Sequence, residues 1–195
     1  MIYIPDGAAE EREKYKEIWS IPEYRINSPG LVNVDRFMGV IQPESGSSII
    51  DIGCGASVAG LKFKELGLES WYLDITSAAK PEEVPWNRFL ETPLWNQWGG
   101  KLFPRGKRWD YGFCCDVLEH IPTEYTMLCV DRILSYCDVC WLQIALLPDE
   151  FGQLIGEQLH LTVKPYSWWL ARLATLGKIL DARDLIGNAL YVVKR

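Results

Sequence analysis

The stretch Ile49-Ile50-Asp51-Ile52-Gly53-Cys54-Gly55 reads as a short β-branched strand that runs straight into a glycine turn. The segment ASVAGLKFKELG behind it suits a helix stopped by Gly67. Such a turn lets backbone approach a ligand closely, at a helix N-terminus whose amides point outward. A dinucleotide fingerprint requires G-x-G-x-x-G, and the sixth position counted from Gly53 is Val58, so that motif fails. Asp51, just before the first glycine, repels phosphate and attracts a cation. The loop therefore suits a ligand with an ammonium group and no phosphate. Asp74 ends the next apolar run, WYLDI, 23 positions after Asp51. An acid at the tip of a second strand can accept both hydroxyls of a ribose, although a turn aspartate at the surface has the same local signature.

The chain has two histidines, His120 in VLEHIP and His160 in QLHLTVKPYSWW. Both fall just past expected strands, at the edge of a pocket there. Imidazole is the side chain best suited to take a proton near neutral pH, so both are candidate catalytic bases. A helix cap, or a structural hydrogen bond, is the competing role for each. Arg25 is a candidate partner for a ligand carboxylate, with a solvated loop arginine as the alternative. Lys101, Arg105, Lys107 and Arg108 form a small basic cluster that is either a solvated loop or a contact for an anionic substrate group. Cys137 and Cys140 form a CxxC without a second pair at zinc spacing, so no metal site is expected. The six cysteines sit mostly in apolar segments and read as reduced, buried thiols.

These residues need a scaffold, and the periodicity supplies one. AAEEREKYKEIW sets Tyr15, Ile18 and Trp19 on one helical face, and Val34, Phe37, Met38 and Ile41 repeat the spacing. SIPEYRINSPG between them reads as a loop. Further strands are expected at NRFLE, DYGFCCDV, VCWLQIAL, KILDA and ALYVVKR, with helices near Thr123 to Cys137 and after Pro165. Strand and helix alternate, which implies an α/β sandwich around a mostly parallel sheet. Two consecutive strands at the end, joined by a turn in RDLIGN, place one antiparallel strand in it.

The composition excludes several classes. The 195 residues are 48% apolar and 24% charged, as in ordinary globular chains, and one domain is the default at this length. A net charge of −6 lacks the basic footprint of a general nucleic-acid binder. No apolar run reaches the roughly 20 residues of a membrane helix, so no membrane insertion is expected. The first residues, MIYIPDGAAEEREK, do not resemble a secretory signal, and a cytoplasmic location is expected.

DIGCG, the acid in YLDI, and the strand-to-helix segment DYGFCCDVLEHIP together resemble the motifs of class I S-adenosylmethionine-dependent methyltransferases, from about Ser47 to Arg195. The resemblance implies a Rossmann-like three-layer fold with a seven-stranded, mostly parallel sheet and an antiparallel last strand. It implies S-adenosylmethionine as cofactor. Asp51, Gly53 and Gly55 would lie under its methionine part, Asp74 on the ribose hydroxyls, and Ile75 on the adenine. Glu91 and Thr92 would meet the adenine edge, and Asp116 would line the methionine end. The family often has a third glycine two positions after the second, where this chain has Ser57.

The reaction implied is methyl transfer to a small-molecule or sugar-like acceptor, with residues 1–45 as a helical lid on a core of 46–195. Nucleic-acid or protein methylation through the basic cluster, or a non-catalytic cofactor-binding subunit of a methylation complex, are the alternatives. The acidic balance, and CDVLEHIP in place of a base methylase's D/N-P-P-Y/W motif, disfavour nucleic acid. The nine tryptophans divide on this scheme. Trp71, Trp141 and Trp169 need only packing, whereas Trp19, Trp86, Trp95, Trp98, Trp109 and Trp168 are expected to border the cleft.

Overall fold

Alternating apolar residues on both faces force each central strand to be covered on two sides. In the computed structural model, which describes residues 7–26, 28–96 and 107–195, this yields three layers. The strands are β1 (Ser48–Ile52), β2 (Glu69–Asp74), β3 (Phe89–Glu91), β4 (Trp109–Cys115), β5 (Cys137–Ala145), β6 (Lys178–Leu185) and β7 (Asn188–Lys194). They form one seven-stranded sheet in the order β3-β2-β1-β4-β5-β7-β6. Strands β1 to β5 pair in parallel, and β7 runs antiparallel between β5 and β6. The expected α/β architecture, including the terminal hairpin, is the one observed.

The helices are α1 (Gly7–Ser20), α2 (Pro22–Arg25), α3 (Pro29–Ile41), α4 (Val58–Glu65), α5 (Thr123–Tyr136) and α6 (Tyr166–Leu176). The period-2 pattern of the strands sorts neighbours between layers. Ile50, Ile52, Cys114, Leu142, Tyr191 and Val193 face Val130, Ile133 and Leu134 of α5 and Trp169 and Leu173 of α6. Ile49, Phe113, Trp141, Leu190 and Val192 face Val34 and Phe37 of α3 and Ala59 and Phe63 of α4. Thus α3 belongs to the sheet-covering layer, whereas α1 and α2 reach the carboxyl ends of the strands. The segment SIPEYRINSPG is not wholly loop. Pro22 opens the one-turn helix α2, because its fixed φ suits a first helical position.

All six cysteines are unpaired, five of them buried and Cys115 half-buried, as their apolar surroundings lead one to expect. No helix among the described residues is long and apolar enough to cross a membrane.

Phe37 anchors α3. Its ring meets those of Phe63, Tyr111, Phe113 and Trp141 edge-on at centroid distances of 5.0 to 5.8 Å and is fully buried. Phe37→Ala should destabilise the fold by about 3–5 kcal/mol, read as a lowered midpoint in urea denaturation.

Candidate functional site

The strand order reverses between β1 and β4, so the loops after these two strands part and leave a cleft at their carboxyl ends. The loop after β1 enters this cleft through an unusual backbone. Gly53 (φ 69°) and Gly55 (φ 47°) are left-handed. A Cβ on Gly53 would lie 2.3 Å from Val117, and one on Gly55 would lie 2.2 Å from the indole of Trp19. Only glycine satisfies both conditions. Ser57, where the resembled family often has glycine, is itself left-handed with φ 58° and fully buried. The serine therefore carries a strain that glycine would not.

Two of the acids expected here, Asp51 and Asp74, are held by backbone amides. Asp51, in β1, points toward α4, and its Oδ2 accepts the N–H of Gly60 in that helix's first turn (2.9 Å). Asp74 accepts the Gly55 N–H on Oδ2 (2.8 Å) and the Thr76 N–H on Oδ1 (3.1 Å), tying the glycine loop to the tip of β2. Burial pushes the Asp51 carboxyl up to about 7 and the Asp74 carboxyl up to about 6, against the amides that lower them. Asp116 directly follows β4 in the left-handed region (φ 51°), which aspartate tolerates better than most residues, and receives the Gln143 side-chain N–H at 3.4 Å. Burial raises it to about 6, with His160 opposing.

The cleft has two joined sides that share Trp19, Tyr24, Gly53, Asp116 and His120. Along β2 and β3 it is lined chiefly by apolar groups such as Ile75, Leu94, Trp95, Val117 and Ile121, with Asp74 and Thr92 among them. Along β1 and β4 it is lined by Asp51, Gly53, Gly55, Asp116, Asp149 and His160, among others. Glu91 is not on either wall. It is exposed and faces Arg12 of α1 at 3.8 Å. Of the other expected cofactor residues, Asp51, Gly53, Gly55, Asp74, Ile75, Thr92 and Asp116 all converge on the cleft.

The histidines meet, ring centroids 4.7 Å apart. The backbone explains why: the carbonyl of Glu119 accepts both the Leu161 and Thr162 N–H groups at 2.8 Å, which lashes the His160 segment beside the turn after β4. His120 Nδ1 is hydrogen-bonded to the Tyr15 hydroxyl of α1 (2.8 Å). Burial, then the neighbouring His160 and Lys14, lowers His120 to about 3, so its ring is neutral at physiological pH. His160 Nδ1–H donates to the Leu147 carbonyl (2.7 Å), and a carbonyl can only accept. The neutral ring therefore keeps its lone pair on Nε2. Glu119 is fully buried, its Oε1 accepts the Ala145 N–H (2.7 Å), and burial raises its carboxyl well above the usual range. One oxygen of Glu119 and one ring nitrogen of each histidine lie within 4.8 Å of one another.

Several groups that line the cleft or lie beside it escaped the sequence reading as site candidates: Tyr15, Tyr24, Glu119, Asp149 and Phe151. Glu119 alone carried a signal, as a lone acid within an apolar turn. Arg25 does not line the cleft, because its guanidinium donates to the carbonyls of Trp19 (2.6 Å) and Ala78 (3.2 Å). Arg108 pairs with Asp138 (2.6 Å), and Lys107 lies over the Trp71 ring. Lys101, Arg105 and Trp98 lie outside the described residues. The tryptophan expectation needs correction too. Among the eight described, Trp19 and Trp95 line the cleft. Trp109 is buried in the core, Trp86 is 63% exposed under Lys80, and Trp168 carries Arg172 on its face. A tryptophan-rich aperiodic stretch does not specify which side of the sheet edge each ring takes.

No protein-family model matches the chain, and no curated protein matches it in sequence. Solved structures do match in fold. The 1,6-didemethyltoxoflavin-N1-methyltransferase of Burkholderia thailandensis, bound to 1,6-didemethyltoxoflavin and S-adenosylhomocysteine, is similar with a TM-score of 0.70 at 12% identity, over 100% of this chain and 92% of that one. The magnesium protoporphyrin IX methyltransferase of Synechocystis PCC 6803 with bound S-adenosylhomocysteine reaches 0.63 at 16% identity, over 96% of each chain. The N-methyltransferase NodS of Bradyrhizobium japonicum WM9, in complex with S-adenosylhomocysteine, reaches 0.65 at 8% identity, over 94% and 97%. The fold is thus the Rossmann-like one of class I methyltransferases.

Two consequences are measurable. Asp51 has a native pKa of about 7, above its unfolded value, so the native state binds the extra proton. Its contribution to stability is present below pH 4 and is lost as pH rises through 7. Asp51→Asn removes this loss and keeps an oxygen for Gly60. The melting temperature of the variant minus that of the native protein should therefore be more positive at pH 8 than at pH 5. Ser57→Gly should raise stability by up to about 1 kcal/mol, or a melting temperature about 2–4 °C higher.

Proposed function

We propose that this protein is an S-adenosylmethionine-dependent methyltransferase acting on a small-molecule acceptor. One observation carries the proposal: the left-handed glycine loop and the buried Asp74 carboxylate are fastened to each other at the switch point of a methyltransferase fold. The residues fit such a cofactor. Asp74 retains lone pairs for ribose hydroxyls, the apolar β2–β3 side suits adenine, and Asp51 and Asp116 give negative potential where an ammonium and a sulfonium belong.

When bound, S-adenosylmethionine supplies a methyl group activated on positive sulfur and a neutral leaving group. The protein's own work is alignment and exclusion of water. Helices α1 and α2 serve as the lid: Trp19 lies against Gly55, Tyr15 against His120, and Arg12 donates to the Ile75 carbonyl (3.0 Å). His160 is the proton acceptor, since the Leu147 carbonyl fixes its N–H on Nδ1 and leaves the Nε2 lone pair to accept. His120 orients rather than titrates, because its burial keeps it neutral.

Calorimetry tests the cofactor directly. S-adenosylmethionine and S-adenosylhomocysteine should both bind with micromolar affinity, and absence of binding at several hundred micromolar overturns the proposal. Asp74→Ala should weaken binding at least tenfold, about 1.4 kcal/mol. His160→Ala should lower kcat at least about 100-fold in transfer of labelled methyl to an accepted substrate, with the KM for S-adenosylmethionine little changed.

A further inference from the structure

The described residues that line the cleft include five carboxylates, Glu11, Asp51, Asp74, Asp116 and Asp149, and no lysine or arginine. Of the cations nearby, Lys14 pairs with Glu11 itself (2.5 Å), whereas Arg12 bonds the Ile75 carbonyl and Arg25 bonds two carbonyls. Asp51, Asp74 and Asp116 are accounted for by the cofactor reading above. Asp149 is not. It stands after β5 and lines the same side of the cleft as the glycine loop and His160.

Asp149 is held in place together with an aromatic ring. Its Oδ1 accepts the Phe151 N–H (2.9 Å) and its Oδ2 accepts the Gly152 N–H (2.8 Å), so carboxylate and phenyl are set by one turn. Phe151 meets Tyr24 edge-on at 5.6 Å, and Tyr24 meets Trp19 edge-on at 4.8 Å. All three rings line the same side of the cleft. Burial, then the carboxylates of Asp74, Asp149 and Asp116, keeps the Tyr24 phenol protonated. Beneath the histidines, Glu119 Oε2 is buried without a partner among the described residues. Aromatic rings beside a fixed carboxylate, in a wall with no lysine or arginine among its described residues, favour a positively charged guest.

We propose that the acceptor is an amine, held as its ammonium form by Asp149 and the Trp19–Tyr24–Phe151 corner, and methylated on nitrogen. The proposal rests on the methyltransferase reading. The ammonium gives one proton to Nε2 of His160, which frees the nitrogen lone pair. That pair forms the new N–C bond while the methyl's C–S bond breaks and its electrons stay on sulfur. An N-methylammonium product, S-adenosylhomocysteine and an imidazolium result, and the imidazolium proton passes to water.

Charge recognition separates from shape with two isosteric probes. Choline and 3,3-dimethyl-1-butanol differ in the quaternary nitrogen that replaces a carbon. Each is titrated into the full chain saturated with S-adenosylhomocysteine. Choline should bind at least tenfold more tightly. Asp149→Asn, and independently Phe151→Leu, which leaves the carboxylate in place, should reduce that ratio below about threefold. A native protein that binds choline no better than the alcohol, or binds neither, overturns the amine proposal. Failure of S-adenosylhomocysteine itself to bind overturns the methyltransferase reading instead, so the two failures are distinguishable.

Discussion

Two amide N–H groups on one buried carboxylate organise this molecule. Asp74 receives Gly55 from the loop after β1 and Thr76 from its own turn, and so locks neighbouring strand tips into one rigid rim. The lock works because Gly55 can take a left-handed backbone and presents its N–H inward. With no side chain there, the Trp19 indole can press on that glycine from above. The same contact thus defines the floor of the cleft and the seat of its cover. Asp51 repeats the device one layer down, where it clasps the first turn of α4.

This arrangement has an energetic cost. Carboxylates are taken out of water in a cleft with no cationic side chain among the described lining residues, and burial drives Asp51, Asp74 and Asp116 toward the neutral form. A positively charged ligand relieves the cost by favouring the ionised acids. Stability and ligand affinity are therefore opposed at these positions, as expected where a site is organised for a guest rather than for the empty protein.

The histidines show a second kind of organisation. Glu119 uses its carbonyl for the chain that carries His160 and its carboxylate for the tip of β5. His120, the next residue, is thereby brought beside His160, and Tyr15 reaches it from α1. Two rings of one chemical type then differ in role. One is desolvated and hydrogen-bonded to a phenol, and the other is held through Nδ1 by a backbone carbonyl.

Local features carried much of this in the linear chain. A β-branched run that ends on glycine marks β1, an apolar run that ends on aspartate marks β2, and the spacing of Val34 and Phe37 marks the buried face of α3. Asp51 and Asp74 were legible because strand ends place side chains at a known edge of a parallel sheet. A short helix at Pro22–Arg25 was not, since one turn is too brief to show a period. Nor were the partners of Asp149, Tyr24 and Tyr15 legible, or the removal of Trp86 and Trp109 from the cleft. Periodicity records whether a residue is buried, which is a property of its own element. It does not record which distant residue covers it. That choice is made by the order of strands in the sheet and by long-range hydrogen bonds such as those of Glu119. The sequence by itself determined the layers, the glycine loop and its acids. Tertiary packing alone decided which aromatic rings line the cleft and which nitrogen of His160 is tied to a backbone carbonyl.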